Sequence, residues 1–306
     1  MNSVSLLAPA KINLYLKIIG DRPDGYHELL MLMQSIELSD ILRFHLNGTE
    51  QIRLFCDNPD VPNDDSNLIL KAVYLLKNKY SKAYYNFGGV DIRLDKRIPI
   101  AAGVAGGSGN AAAALVALNL LWKLKLDLDQ LQILATQLGS DVPFSLIGGT
   151  ALATGRGEKL RSLPPLENLW LVLAKYESLS VSTAWAYQAY RHKFDHTYGQ
   201  SLQDSFPLLD SVMAQDFDQI GKLLHNDLEK VVLPTHPEVQ KLRDILEKIG
   251  GLGTMMSGSG PSIFTICRSQ REALSIQQEL QRQVDNDDLK VWTTRFIGKG
   301  IQVTGN

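Results

Sequence analysis

The chain has 306 residues, of which 44% are hydrophobic and 21% are charged. This composition is ordinary for a globular protein and excludes a disordered, collagen-like or low-complexity chain. The 31 basic and 33 acidic side chains give a formal net charge of −2, so there is no overall field for nucleic acid or for an anionic membrane, and we expect neither as a partner.

The N-terminal segment and the two cysteines lead us to expect a cytoplasmic protein. The N-terminal segment has no basic region, and its apolar run is too short for a signal peptide. Cys56 and Cys267 form no CxxC pair, so we expect two reduced thiols and no zinc or dithiol site. The uncharged stretch 98–122 is broken by a proline and by glycines, which leaves a helix too short to cross a bilayer.

The hydrophobic pattern of the first half predicts more strands than helices. We predict strands at residues 4–7, 12–19, 30–38, 41–46, 52–56, 90–94 and 151–154, and helices at residues 67–79, 111–122 and 130–138. Asp129 is the predicted N-cap of the last of these helices, and Gly139 ends it. A second short helical segment follows Asp141, with Pro143 near its start.

A proline-containing stretch at residues 161–165 marks the predicted domain boundary, which separates residues 1–162 from residues 163–306. Beyond it we predict strands at residues 169–174, 262–267 and 289–296, and helices at residues 184–192, 217–228, 237–249 and 270–283. The strands come in clusters and do not alternate strictly with helices. This order favours an α+β fold over a doubly wound sheet.

The strongest chemical signal is a glycine-rich segment directly before an alanine-rich helix. The chain contains no Walker A, GxGxxG, GxSxG or HExxH motif. Glycine lets a ligand approach the backbone, and the unpaired amides of a helix N-terminus attract anions. The segment therefore predicts a phosphate cradle, with a tight strand-to-helix turn as the alternative. Its residues are Pro99, Ala102, Gly103, Val104, Ala105, Gly106, Gly107, Ser108, Gly109 and Asn110.

Two further segments complement the cradle. The run Gly258-Ser259-Gly260 leads into a strand and, taken alone, is a simple turn; paired with the cradle, it lines an anionic site from the far side. Lys11 and Asn13 alternate with apolar residues, so both point to one face of a strand. A solvent-facing edge strand is the alternative for this pair.

Three side chains are candidates for substrate recognition and for proton transfer. Tyr26 and His27 follow a turn and suit a planar heterocycle, because one ring stacks and the other offers a polar edge. Ordinary packing is the alternative. Asp141 stands at a helix start, where it is either a cap or, if it faces the cradle, a base that accepts a proton from an attacking hydroxyl.

Taken together, these segments resemble the GHMP kinase superfamily, which carries a lysine-bearing strand, a PxxxGLGSSAA-like phosphate loop and a C-terminal glycine loop in this order. The resemblance extends from residue 8 to residue 262. The DGYHE run at residues 24–28 is similar to the branch of that superfamily that acts on a cytidine diphosphate sugar alcohol. Ala105 stands where the family commonly has glycine, and Gly109 replaces a second serine, which puts a role for a hydroxyl there in doubt.

The resemblance implies that ATP, with Mg²⁺, phosphorylates the 2-hydroxyl of the methylerythritol part of that small-molecule substrate, a step towards isoprenoids. It implies that Asp141 takes the hydroxyl proton, that Lys11 keeps Asp141 ionised, and that Asn13 orients the substrate. The remaining implied roles are phosphate or Mg²⁺ binding by Ser108, a nucleotide contact at Asn67, cytosine binding by Tyr26 and His27 with Trp185 or Tyr187, and closure of the far side by Gly258, Ser259 and Gly260. Packing in a helix core is the alternative for Trp185 and Tyr187.

The same resemblance implies an N-terminal ribosomal S5-like domain, a C-terminal ferredoxin-like domain and an active site in the cleft between them. Two other functions stay open. A sister kinase or a diphosphomevalonate decarboxylase does not require Tyr26 and His27, because its substrate has no base. A nucleotide-binding regulator without turnover does not require both Lys11 and Asp141. No obligate protein partner is expected.

Overall fold

The computed structural model describes residues 1–194 and 206–304 of the chain. The first half contains β1 (Ser3–Asp21), β2 (His27–Leu46), β3 (Ile52–Cys56), α1 (Leu68–Lys79), α2 (Ser81–Phe87), β4 (Val90–Asp95), α3 (Gly106–Leu121), α4 (Leu128–Ala135), α5 (Val142–Ile147), β5 (Thr150–Gly155) and β6 (Lys159–Leu163). The second half contains β7 (Trp170–Tyr176), α6 (Thr183–Phe194), α7 (Phe206–Ala214), α8 (Phe217–Lys222), β8 (His225–Asn226), α9 (Glu229–Thr235), α10 (Pro237–Ile249), β9 (Gly253–Met256), β10 (Ile263–Cys267), α11 (Gln270–Gln283), β11 (Leu289–Arg295) and β12 (Gln302–Thr304).

Eight strands form the first sheet, whose main path runs β12-β1-β2-β4-β3. The strands β1 and β2 are 19 and 20 residues long, so each fuses two strands that the sequence had predicted separately. The antiparallel pairing of β1 with β2 shifts register between Pro9 and Ala10. A bulge at this point accommodates a proline, which has no N–H for the ladder, without ending the strand.

The second sheet has four antiparallel strands in the order β11-β7-β10-β9. Numbered along the chain within this sheet, the order is 4-1-3-2, which is the order of a ferredoxin-like sheet. Together with the first sheet it confirms the α+β prediction. The strands β8 and β12 follow residue 163 in the chain but pair with β1, so the two halves interleave at the first sheet, and the boundary near residue 162 stays a prediction.

Helix α3 packs close to the first sheet because its first half is built mainly from small side chains, and its four consecutive alanines are buried on all sides. Ala111, Ala112, Ala113 and Ala114 are all fully buried. A Cβ at Gly109 would lie 3.3 Å from the carbonyl oxygen of Pro9 in β1. This close packing fixes the start of α3 against the strand that carries Lys11.

Several predicted helix ends differ from the structure; among them, α4 ends at Ala135 and not at the predicted residue 138, so Gly139 does not end it. Helix α3 starts at Gly106, before the predicted residue 111, so its first turns include glycines. Helix α4 is capped by Asp127 rather than Asp129, because Asp127 forms a capping box with Gln130. The helix predicted at 217–228 ends at Lys222, and the residues after it turn back to contact β1.

Several short elements were not predicted from the sequence, because they span too few residues to show a clear hydrophobic periodicity. They are α2, α7, α9, β6, β8, β9 and β12. Across the described residues, no helix combines the length and the apolarity needed to span a membrane.

Candidate active site

A cavity of about 800 Å³ lies where β1, the start of α3, the loop after β9 and helix α6 come together. Most of the predicted site residues line it. They are Lys11, Asn13, Tyr26, His27, Asn67, Pro99, Ala102, Gly103, Val104, Ala105, Gly106, Gly107, Ser108, Asn110, Asp141, Tyr187, Gly258 and Ser259. Three other predicted residues, Gly109, Trp185 and Gly260, are outside this lining.

The phosphate loop (residues 99–110) exposes a helix N-terminus to the cavity. The amide of Gly109 donates to the carbonyl of Ala105 at 2.9 Å and so begins the helical ladder of α3. The amides of Gly106, Gly107 and Ser108 precede this bond and are the orphan donors of the helix start. Such donors, together with the helix dipole, attract anions.

The positive φ angles in this loop do not occur at the adjacent glycines Gly106 and Gly107. Ala101, Gly103 and Ala105 have φ angles of 50°, 72° and 58°, whereas Gly106 and Gly107 are helical. A Cβ at Gly106 would lie 3.0 Å from Lys96 Nζ, inside the protein. At Gly107 the nearest atom would be a Leu68 methyl group at 3.7 Å, so Gly107 is the glycine that faces open space in the cavity.

Gly109 and Asn110, the last two residues of the loop, differ in environment. Gly109 packs on Pro9 of β1. A serine side chain at this position would point at the strand and not into the cavity. The presence of glycine where the family commonly has serine therefore affects the packing of α3 on β1. Asn110 is buried and lines the cavity. Its Oδ1 has no hydrogen-bond partner within the described part of the chain.

The buried Lys96, which the sequence interpretation missed, anchors the start of the phosphate loop. Its Nζ donates to Asp40 Oδ2 at 2.7 Å and to the carbonyl of Ile98 at 2.6 Å. Burial lowers the pKa of Lys96, and the adjacent Asp40 opposes this effect. Asp40 is fully buried and also accepts from the amides of Arg97 and Ile98. A charged residue before the glycine segment was the only sequence signal for this anchor.

Asn67 shapes the wall of the cavity beside α1. Its Oδ1 accepts from the amide of Ile69 at 2.8 Å, which caps α1, and its Nδ2 donates to the carbonyl of Pro62 at 2.7 Å. The side chain thus joins two backbone segments of the wall. Its predicted contact with a nucleotide remains a prediction.

Lys11 and Asp141, from two separate motifs, meet in the cavity. Lys11 Nζ lies 3.5 Å from Asp141 Oδ2 and donates to Asn13 Oδ1 at 2.6 Å. The Lys11 side chain is 7% exposed and that of Asp141 is 30% exposed, so the carboxylate is accessible while the ammonium group is buried. The backbone amide of Lys11 donates to the carbonyl of Val104, which joins the strand to the phosphate loop.

Asp141 precedes α5 without capping it through its side chain, as far as the described residues show. The backbone carbonyl of Asp141 accepts from the amide and the hydroxyl of Ser145. The carboxylate is therefore not needed for the helix. This geometry favours the interpretation as a base over that as a helix cap.

Aromatic and basic side chains line the opposite end of the cavity. The guanidinium of Arg156 lies 4.7 Å from the ring centre of Tyr26, which is 53% exposed. Arg191 donates to Asp21 and to the carbonyl of Gly25, and so holds the tyrosine turn (residues 22–28) against α6. Neither arginine was predicted, although the run Gly155-Arg156-Gly157 signalled an arginine on a turn.

His27 and Tyr187 form a ring pair with centres 5.2 Å apart. His27 is buried, and its Nε2 lies 3.3 Å from Asp21 Oδ1 without forming a hydrogen bond to any described residue. Burial and the nearby Arg191 lower the pKa of His27, which favours the neutral imidazole. Burial and the charge of Asp141 raise the pKa of the Tyr187 phenol.

Trp185, the other aromatic candidate, points elsewhere. Its ring packs edge-on against His236 with 5.7 Å between the centres. On a helix, residues 185 and 187 do not share a face, so only one of the two side chains reaches the cavity, and that one is Tyr187.

The C-terminal glycine loop (residues 256–262) closes the cavity from the second half of the chain. Ser257 Oγ donates to the carbonyl of Gly103 at 3.1 Å, and the hydroxyls of Ser259 and Thr183 are 2.9 Å apart. A Cβ at Gly258 would lie 3.6 Å from Lys11 Nζ. Gly260 is outside the lining because it packs on Met256, whose Sδ a Cβ would approach to 2.5 Å.

Comparison with known proteins identifies the family of the chain. Residues 67–149 match the model of the GHMP kinases N-terminal domain, and residues 208–286 match that of the GHMP kinases C-terminal domain. The 4-diphosphocytidyl-2-C-methyl-D-erythritol kinase of Gloeothece citriformis (strain PCC 7424) is 53% identical over 99% of this chain and 99% of its own length. That of Synechocystis sp. (strain ATCC 27184 / PCC 6803 / Kazusa) is 51% identical over 100% of both chains.

The chain belongs to the 4-diphosphocytidyl-2-C-methyl-D-erythritol kinase family of GHMP kinases. A crystal structure of 4-(cytidine 5'-diphospho)-2C-methyl-D-erythritol kinase is also similar, with a TM-score of 0.75, 32% identity, and coverage of 97% of this chain and 100% of that one. The mevalonate diphosphate decarboxylase of Staphylococcus aureus has a TM-score of 0.71 at 20% identity, covering 99% of this chain and 98% of its own, which shows only that the fold is shared.

Proposed function

We propose that this chain transfers the γ-phosphoryl group of ATP to the 2-hydroxyl of 4-diphosphocytidyl-2-C-methyl-D-erythritol. The observation that carries the proposal is the position of the Lys11–Asp141 pair in one cavity with the phosphate loop and the aromatic cluster of Tyr26, His27 and Tyr187. The cavity volume of about 800 Å³ is within the ordinary range of small-molecule sites, roughly 300–1,000 Å³. Family membership supports the same substrates.

Asp141 is the proposed base. Its carboxylate is accessible and is not engaged in capping α5, so it can accept the proton of the 2-hydroxyl as that oxygen attacks the γ-phosphorus. The ammonium group of Lys11, 3.5 Å from that carboxylate, offsets negative charge on the attacking oxygen. Asn13 accepts from Lys11 at 2.6 Å and so fixes the ammonium group beside the proposed substrate hydroxyl.

The phosphate loop is proposed to bind the ATP phosphates through the amides of Gly106, Gly107 and Ser108. Phosphoryl transfer depends chiefly on alignment and on stabilising charge. Mg²⁺ supplies part of that stabilisation when bound, and we assign the Ser108 hydroxyl to it. The described residues hold no cluster of three or more metal-ligating side chains, which fits an ion held largely by phosphates and water with one or two protein oxygens.

The cytosine is proposed to lie between Tyr26 and Tyr187, with its polar edge towards His27. A neutral His27 offers one donor and one acceptor. This arrangement recognises a base, which mevalonate-type and sugar substrates lack. It therefore distinguishes the proposed activity from that of a sister kinase.

We further propose that the reaction takes place in the cytoplasm, where ATP is supplied. Both cysteines are free thiols, which is typical of a reducing compartment.

The test is ADP release by the purified protein with four alcohols: the cytidine compound, mevalonate, homoserine and galactose. We expect turnover with the cytidine compound alone, and transfer of label from γ-labelled ATP to that alcohol. Turnover with another alcohol would indicate a sister kinase. ATP binding without turnover on any of them would indicate a nucleotide-binding regulator.

A further inference from the structure

One short segment contacts both the strand that carries Lys11 and the C-terminal glycine loop. The 225–229 segment (His225-Asn226-Asp227-Leu228-Glu229) follows α8 and ends at the first residue of α9. Its first two residues form β8, which pairs in parallel with Tyr15 and Leu16 of β1. None of its residues lines the cavity. Any effect of this segment on the site therefore passes through β1 and the glycine loop, which the segment contacts.

Asn226 is the centre of these contacts. The side chain is buried, and its Nδ2 donates to the carbonyl of Met256 and to the carbonyl of Gly258, both at 2.8 Å. Its Oδ1 accepts from the amide of Leu228 at 3.0 Å. Both amide protons and the acceptor are thus used, which fixes the side chain in one orientation.

The neighbours of Asn226 extend the same bridge in both directions. Asp227 accepts from the amide of Ile18 in β1 at 2.8 Å, and its own amide donates to the carbonyl of Leu16. Glu229 accepts from the amide of Met256 at 2.8 Å. The segment is therefore hydrogen-bonded to β1 on one side and to the glycine loop on the other.

The glycine loop has little freedom relative to Lys11. A Cβ at Gly258 would lie 3.3 Å from Asn13 Oδ1 and 3.6 Å from Lys11 Nζ, and 2.9 Å from the carbonyl of Gly103. The carbonyl that Asn226 holds belongs to this same glycine. A change in the Asn226 amide would therefore move the backbone that packs against Lys11 and the phosphate loop.

We propose that Asn226 is a positioning residue, whose amide sets the distance between the glycine loop and the Lys11 strand for phosphoryl transfer. The inference rests on the proposed function. Its physical basis is that catalysis of this kind depends on alignment, and that a misplacement of about 1 Å by a residue far from the chemistry can cost roughly 10²-fold in rate.

The experiment compares Asn226→Ala and Asn226→Asp with a matched control, Asn119→Ala. Asn226→Asp keeps the volume and the acceptor for Leu228 but cannot donate to the two carbonyls. Asn119 makes a similar pair of backbone bonds, with Nδ2 donating to Leu126 at 3.0 Å and Oδ1 accepting from Leu126 at 2.9 Å, and it does not line the cavity. The readouts are kcat, the KM for each substrate and the thermal unfolding midpoint.

We expect both Asn226 variants to lose kcat by about 10- to 100-fold, the scale of a small misalignment, with smaller changes in the KM for ATP. Asn119→Ala should lower the unfolding midpoint without lowering kcat. Equal kcat in the Asn226 variants and the control, with an active parent protein, would overturn the positioning role and leave the proposed function intact. Failure of both Asn226 variants to fold would also overturn it, since the amide would then serve stability alone. An inactive parent protein would instead refute the proposed function.

Discussion

The two ends of the cavity are built from different parts of the polypeptide. The phosphate loop presents backbone amides at the start of α3, and most of its side chains are a hydrogen atom or a methyl group. The tyrosine turn presents side chains, with Tyr26 under Arg156 and His27 beside Tyr187. The same cavity thus has one end that depends on the absence of side chains and one that depends on their identity.

This difference predicts which mutations each end tolerates. A backbone site is damaged by an added Cβ, and truncation of its side chains removes little. A side-chain site is damaged by truncation and determines which base is accepted, because an unmatched buried donor or acceptor costs about 1–3 kcal/mol. Lys11 and Asp141 line the same cavity and belong to neither type, because they are an oppositely charged pair.

The largest effect is expected where the reaction itself takes place. Asp141→Asn should leave both substrates bound and reduce turnover by roughly 10²-fold or more, the usual scale for losing a positioned base. ADP release and calorimetric titration of each substrate measure the two parts. Asp60→Asn, which changes a second carboxylate of the cavity lining, controls for the loss of one negative charge. Near-normal turnover of Asp141→Asn would place the base elsewhere.

At the phosphate loop, which is the backbone end of the cavity, Gly107→Val should weaken ATP binding, whereas Gly106→Val should lower stability. The Cβ of residue 107 faces open space in the cavity, so valine there should weaken ATP binding by about 100-fold, near the value of one charge-assisted hydrogen bond. The Cβ of residue 106 meets Lys96 and Ile98 inside the protein, so valine there should lower the unfolding midpoint. Calorimetric titration with ATP measures the first effect, and thermal unfolding measures the second. Unchanged ATP affinity in Gly107→Val would contradict the prediction that this loop binds the ATP phosphates.

At the side-chain end, Tyr26→Ala should raise the KM for the cytidine substrate by about 10- to 100-fold, since a base stacked on an aromatic ring gains roughly 1–3 kcal/mol. The KM for ATP should hardly change. Tyr85→Ala, at a tyrosine that is 73% exposed and outside the cavity lining, is the control. A uridine analogue should be a much poorer substrate for the unchanged protein. An effect confined to ATP would mean that the two nucleotide positions are reversed.

Local patterns in the sequence predicted elements and motifs well. The bounds of α10, α11 and β3 agree with the predicted ranges, because each is a single periodic run with clear ends. The phosphate loop, the Lys11 strand and the segment at Asp141 were each recognised from short motifs. Residues of all three segments line one cavity, as the prediction of a single site required.

Contacts made over a long distance in the chain were not predictable in this way. Arg191 reaches the tyrosine turn across 166 residues, and Asp227 reaches Ile18 across 209. Neither contact leaves a local signal, because an arginine late in a helix and an aspartate after one are common. The predicted end of the helix at 217–228 was wrong for the same reason: the helix starts at Phe217 as predicted, but the polar side chains after Lys222 bind other segments.

The smallest effect tests whether the phosphate loop is strained at Ala105, which like Ala101 has a positive φ although it carries a Cβ. Ala105 has a φ of 58° and a ψ of 29°, the left-handed conformation, at the N-cap of α3. This conformation costs a residue with a Cβ roughly 1–2 kcal/mol, and glycine avoids that cost while losing about 0.4–1 kcal/mol through its more flexible unfolded state. Ala105→Gly should therefore raise the free energy of unfolding by about 0.5 kcal/mol and leave the KM for ATP unchanged, since the amide at that position is retained. Chemical denaturation with and without ATP measures both quantities. A loss of stability would show that the methyl group of Ala105 makes packing contacts that outweigh the strain of its backbone.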